Sequence, residues 1–183
     1  ARWPVPHPPG LECRLPWAGM SLRVHLATCL TLTALGLAPG AAHIMELPVK
    51  VQYASAFYAQ VTSTLYTWYG AVGGAVQVLA AITAIALAIR LRRTPPAGLA
   101  AAAAAALVIS LALWGALVAP VNLSWASAPR DDPVAFAAAD EDLRWRWEYG
   151  HVSAFVAWLA GWFGLVAVAT REPAPSRGTA FLY

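Results

Sequence analysis

Charge is scarce in this chain of 183 residues: Asp, Glu, Lys and Arg together make 11%, against a hydrophobic share of 60% and a mean hydropathy of +0.57. A soluble domain carries about 25% charged residues, because its surface must be solvated. Less than half that share excludes an ordinary soluble globule or a disordered tail. The net charge of +3 comes from scattered arginines rather than a basic patch, which excludes a nucleic-acid binder. Cysteine is scarce as well. Cys13 and Cys29 stand alone, in no C-x-x-C or haem-attachment spacing, so no disulfide or zinc framework can be read. Internal repeats are lacking too, and with them the duplicated halves common in transporters.

What remains is long apolar runs. A bilayer crossing needs about 20 predominantly apolar residues, and four segments qualify. They predict an all-α, four-transmembrane-helix bundle occupying residues 20–171, with spans near 22–47, 66–91, 97–120 and 147–170. Residues 1–19 are a proline-rich N-terminal extension that fits no helix and reads as disordered or not native, since Met20 looks like a natural start. Residues 172–183 form a C-terminal tail. The first span resembles a signal peptide, with Arg23, an apolar stretch and small residues around Gly40 to Ala42. The helical pattern continues past them into His43 and Glu46, which favours a retained span.

The arginines set the expected orientation. Arg14, Arg23, Arg90, Arg92, Arg93, Arg171 and Arg177 fall on one side of a four-span chain, while Glu46, Asp131, Asp132, Asp140, Glu141, Asp142 and Glu148 gather on the other with Lys50, Arg130, Arg144 and Arg146. The positive-inside rule places both termini in the cytoplasm of a multi-pass cell-membrane protein and the acidic end outside. Leu123 to Leu143 reads as a solvated outer loop, with Asp140 or Asp142 capping the fourth helix. Trp125, Trp145, Trp147 and Tyr149 read as an aromatic belt. Pro120 is expected to break the third helix, turning Asn122 toward the outer cavity.

Membrane helices turn polar and small residues toward one another. The first helix has such a stripe at three- and four-residue spacing: His25, Cys29, Thr33, Gly36, Pro39, His43, Glu46 and Lys50. The second offers Gln60, Thr64, Thr67, Ala71 and Gly74, flanked by Ser63, Tyr66, Gly70, Gly73 and Gln77. On the fourth, Arg144, Glu148, His151, Phe155, Trp158 and Trp162 share a face.

Ionisable groups at membrane depth are costly and mark sites. His43-Ile-Met-Glu46 and Glu148-Tyr-Gly-His151 are H-x-x-E and E-x-x-H, each placing its two side chains one turn apart. Antiparallel first and fourth helices bring the two histidines to one depth and the two glutamates to another, nearer the surface. Four readings fit. One divalent metal (Fe, Cu or Zn) bound by His43, Glu46, Glu148 and His151 fits better than a di-iron site, which needs more carboxylates. A haem could lie between the histidines. A histidine tuned by its glutamate could take a proton from a substrate, with no cofactor required. Or Glu46, Glu148, Lys50 and Arg144 neutralise one another as structure.

Taken together, AHIMELPVK, YAQVTSTLYTWYG, ALVAPVNLSW and RWRWEYGH resemble the anthrone-oxygenase-like family of small four-helix membrane proteins, over about residues 22 to 170. The R-x-R-W-E-x-x-H element at Arg144 to His151 is the most specific of these. The matching positions are His43, Glu46, Pro48, Lys50, Tyr66, Pro120, Asn122, Arg144, Trp147, Glu148 and His151. The resemblance implies O₂-dependent oxidation of an apolar anthrone-like aromatic, without a well-established cofactor. His43, Glu46, Glu148 and His151 are then the catalytic candidates, and Lys50, Gln60, Tyr66, Asn122, Arg144 and Trp147 the substrate-binding ones. Either histidine would serve as base, with Arg144 or Lys50 stabilising the developing oxyanion. The implied partners are the lipid bilayer and an apolar small molecule. A non-enzymatic accessory or binding protein would use the same outer pocket.

Overall fold

Each helix starts and stops where the sequence supplies a cap or a break. The computed structural model describes residues 20–128 and 132–171. The N-terminal extension 1–19, the tail 172–183, Arg130 and Asp131 lie outside these. α1 (Leu22–Lys50) opens on Ser21, whose side chain accepts from the Val24 N–H. α2 (Ser55–Leu91) and α3 (Ala97–Ala126) follow. The arginine-rich turn between these two holds Pro95 and Pro96, which cannot continue a helix ladder. α4 (Pro133–Thr170) opens on Asp132, which accepts from the N–H groups of Val134 and Ala135 at 3.0 and 3.1 Å. No strand occurs among the described residues. All four helices are long and apolar enough to cross a membrane.

The helices run well past the expected spans at one end of the bundle. α2 begins at Ser55, α3 continues to Ala126 and α4 begins at Pro133. The segment read as a solvated loop is therefore mostly helix, and its cap is Asp132 rather than Asp140 or Asp142. Asp140 is instead fully buried and paired with Arg144 one turn on, at 2.5 Å. A charge ends a hydrophobic span but need not end a helix, and nothing between Pro133 and His151 breaks the backbone ladder. Nor does Pro120 break α3. Trp114–Val118 widens into a π-helical turn immediately before it, loosening the ladder where the proline ring would otherwise press on an earlier carbonyl. Tyr69–Gly73 is a second π-helical turn, in α2.

The bundle has two unlike halves. In the half holding Arg90, Ala80, Ala84 and Leu87 of α2 pack on Ala100, Ala103 and Leu107 of α3 and Leu165 of α4. Side chains this small let backbones approach, and a Cβ added to Gly164 would lie 2.8 Å from that of Ala103. Polar bridges link the helices. The His25 Nε2–H donates to the Thr83 carbonyl at 3.1 Å, Gln77 to that of Gly36 at 3.0 Å, and the Trp158 indole to that of Thr33 at 2.9 Å. The outer faces carry Leu79, Ile82 and Ile85 of α2 with Val108 and Ile109 of α3, all exposed, as faces solvated by hydrocarbon should be. In the other half, bulky aromatic side chains hold the helices apart and a cavity opens.

Candidate functional site

The buried stripe of α1 follows the spacing read from the sequence: His25, Cys29, Thr33, Gly36, His43 and Lys50 all point inward. On α4 the inward face carries Arg144, Glu148 and Trp158, fully or nearly buried, with His151 and Phe155 half-buried beside them. Between these two helices and the ends of α2 and α3 lies a cavity of about 750 Å³. Its deep end is formed by Gly36, Trp158 and Ser110, and its outer end by Trp125 and Phe136. Both π-helical turns contribute to the wall, through Tyr69 and Gly70 and through Trp114 and Gly115.

His43 and His151 sit side by side in that wall, their ring centroids 4.2 Å apart and their planes inclined by 35°. Trp147 stands edge-on to His43 at 4.9 Å and lies 4.1 Å from His151, and Tyr66 covers His43 at 4.5 Å. The Trp147 indole donates to Asn122 Oδ1 at 2.8 Å, which brings the end of α3 into the site. Among the sequence candidates, His43, His151, Tyr66, Trp147 and Asn122 thus share the cavity wall. Trp147 is a buried wall residue rather than a belt anchor, whereas Trp145 and Tyr149 are exposed and stacked on each other at 5.7 Å.

The other candidates stand behind the wall or away from it. Lys50 is buried, with its Nζ 3.0 Å from Glu148 Oε1 and 3.2 Å from His43 Nδ1. It also lies over the Tyr66 and Trp147 ring faces, at 5.0 and 5.2 Å. Glu148 Oε1 accepts a second hydrogen bond, from the Tyr58 hydroxyl at 2.7 Å. Glu46 accepts from the Tyr66 hydroxyl. The histidines therefore meet, as the mirrored motifs predicted, while the glutamates turn to different tyrosines on α2.

This divergence bears on the metal reading. Among the described residues, no three His, Cys, Asp or Glu side chains gather as a metal site would require. His43 and His151 alone are a two-ligand set, short of the three or four ligands of protein zinc sites and their like. The haem reading meets a steric objection, since rings 4.2 Å apart are in van der Waals contact and leave no space for a macrocycle between them. The structural ion network is realised in part. Lys50 does pair with Glu148, but Arg144 pairs with Asp140, and Glu46 has a tyrosine partner rather than a cation.

Besides Lys50, two substrate-binding candidates lie off the cavity wall. Arg144 donates to the carbonyls of Val51 and Tyr53 at 3.3 and 2.8 Å and lies over the Tyr58 ring at 4.1 Å. It ties the α1–α2 connection to α4 and is no part of the cavity wall. Gln60 is exposed. The start of α2 turns Tyr58, Thr62 and Tyr66 inward rather than Gln60 and Thr64, while further along Thr67, Ala71 and Gly74 of the expected stripe, with Gly70 and Gln77 beside them, do line the cavity. Tyr58 was missed. Its signal was available in the eight-residue separation of Tyr58 and Tyr66, two steps of four along one helix face.

Compared with protein-family models, with curated proteins and with solved structures, the chain matches none.

Proposed function

We propose that this chain is an integral membrane oxygenase that oxidises an apolar, anthrone-like aromatic with O₂ by histidine-assisted proton abstraction. The observation that carries the reading is the imidazole pair of His43 and His151 in the wall of an aromatic cavity of about 750 Å³, within the range of small-molecule sites. The resemblance of RWRWEYGH and its companion motifs to anthrone oxygenases supplies the substrate class. The arginine distribution supports an orientation with both termini in the cytoplasm and the cavity toward the extracytoplasmic side.

The chemistry follows from the substrate. The methylene of an anthrone is acidic because its carbanion delocalises onto the ring carbonyl oxygen. An imidazole takes that proton, and the carbanion bonds to O₂ to give a peroxide that recovers the proton. Loss of water from the resulting hydroperoxide leaves the quinone carbonyl. The net change is anthrone plus O₂ to anthraquinone plus water, with the base regenerated. A cavity walled by aromatic rings favours a flat apolar ligand and keeps water from the carbanion. Lys50 is not part of the cavity wall but stands behind His43, so its charge acts on the reacting oxygen through the imidazole.

Oxygen uptake and anthraquinone formation by the purified protein in detergent test the reading. Wild type should consume anthrone faster than buffer alone, and His151→Ala should fall to the buffer rate while keeping its thermal unfolding transition. Equal rates for the two overturn the assignment. Anthrone binding without turnover in wild type would instead make the chain a binding protein.

A further inference from the structure

We infer that the two histidines are held in opposite tautomers, so that His151 presents a basic nitrogen to the cavity and His43 a hydrogen-bond donor. Deepening the proposed oxidation, this divides the labour between two otherwise equivalent candidates. His151 Nδ1 lies 2.9 Å from the Trp147 carbonyl oxygen. A carbonyl can only accept, so Nδ1 carries the proton and Nε2 of the neutral ring carries a lone pair. His43 Nδ1 lies 3.2 Å from Lys50 Nζ. An ammonium can only donate, so here Nδ1 holds the lone pair and the proton is on Nε2. Among the described residues neither Nε2 has a hydrogen-bond partner, and both rings line the cavity.

The two tautomers have different origins. That of His151 is set within its own helix, by a carbonyl one turn earlier. That of His43 depends on three elements: Lys50 from α1, Glu148 from α4 and Tyr58 from α2. Glu148 neutralises and aims the ammonium, and the Tyr58 hydroxyl holds Glu148 from the far side. Lys50, Glu148 and Tyr58 are thus positioning residues that act through His43.

The pair then fits a substrate with an acidic C–H conjugated to a carbonyl. The proton passes from carbon to His151 Nε2. The electron pair left behind moves into the conjugated system and ends on the oxygen, which accepts a hydrogen bond from His43 Nε2–H. No oxidant takes part in this step, and O₂ meets the carbanion afterwards.

Tautomers are read directly by ¹⁵N NMR of the full-length chain labelled at its histidine ring nitrogens, with signals assigned from His43→Gln and His151→Gln. The expected spectrum shows a pyridine-like Nδ1 for His43 and a pyridine-like Nε2 for His151, and Lys50→Met should scramble the first and leave the second. Like tautomers in wild type overturn the inference, and this readout holds whether or not anthrone is turned over. Kinetics add a ranking where turnover is seen. Glutamine can donate but cannot take a proton, so His43→Gln should stay within about tenfold of wild type while His151→Gln falls by about 10²–10⁴-fold. His43→Phe, with neither function, should lose about 10²-fold. The reverse ranking of the two glutamine variants overturns the division of roles.

Discussion

Lys50 and Glu148 meet at 3.0 Å with only 2% of either side chain exposed. An ion pair this buried is sensitive to losing one partner, because the survivor keeps its desolvation penalty without its compensation. Lys50→Met should therefore destabilise the bundle by about 3–5 kcal/mol, read as a fall in thermal midpoint in detergent. Glu148→Gln added to Lys50→Met should recover much of the loss. A double variant as unstable as the sum of the two single ones would mean that the pair is not energetically coupled.

Arg144 makes a contrasting prediction. Its guanidinium holds the backbone carbonyls of Val51 and Tyr53 and neutralises buried Asp140. Arg144→Ala should lower stability by several kcal/mol and speed proteolysis between Lys50 and Ser55. Arg144→Lys should rescue it poorly, since one ammonium cannot span the same acceptors. A variant of wild-type stability with a raised KM alone would return Arg144 to the cavity as a ligand contact.

The glycines divide into two groups. A Cβ on Gly36 would lie 2.6 Å from the Trp158 ring, and one on Gly161 would lie 2.6 Å from Leu107 Cδ2, whereas Cβ atoms on Gly70, Gly74 and Gly115 would meet nothing within 4 Å. Gly36→Ala and Gly161→Ala should each cost about 1–3 kcal/mol through overpacking. Gly74→Ala and Gly115→Ala should be neutral or slightly stabilising, since alanine is the better helix former by about 1 kcal/mol. Thermal unfolding of the four variants gives the order directly.

Because Gly74 and Gly115 line the cavity, larger residues there should fill it without disturbing the packed half. Gly115→Phe is expected to keep the wild-type unfolding transition and to weaken quenching of tryptophan fluorescence by added anthraquinone at least tenfold, about 1.4 kcal/mol. Unchanged quenching would place the ring-binding site elsewhere.

Orientation is tested by thiol labelling in intact cells. Ser127 follows the end of α3, Arg92 lies in the turn that precedes its start, and both are exposed. An impermeant maleimide should label Ser127→Cys and spare Arg92→Cys until the membrane is opened. The opposite pattern would reverse the topology.

Several features of this molecule could be read from local chemistry. Four helices long and apolar enough to cross a membrane follow from run length and the scarcity of charge, and the α1 stripe follows from helical period, so His43 and Lys50 were expected on the inward face. The mirrored H-x-x-E and E-x-x-H motifs, on antiparallel helices, sufficed to place the two imidazoles together. These inferences succeed because a helix has one period and a bilayer has one thickness.

Other features were decided only when the helices packed. Whether Glu46 and Glu148 face each other or face tyrosines depends on the rotation of α2, and the exposed Gln60 shows that a stripe which lines the cavity at Thr67, Ala71 and Gly74 can leave it toward the start of the helix. Arg144 and Asp140 pair across one turn of a helix whose extent was masked by its own charges. The tautomers of His43 and His151 lie furthest from the sequence, since the same side chain takes opposite roles according to whether a backbone carbonyl or a lysine from another turn stands beside it. Composition and period determined that histidines would be buried in this apolar bundle. The partner at each Nδ1, a carbonyl for His151 and for His43 a lysine held by groups from two other helices, decided what each histidine can do.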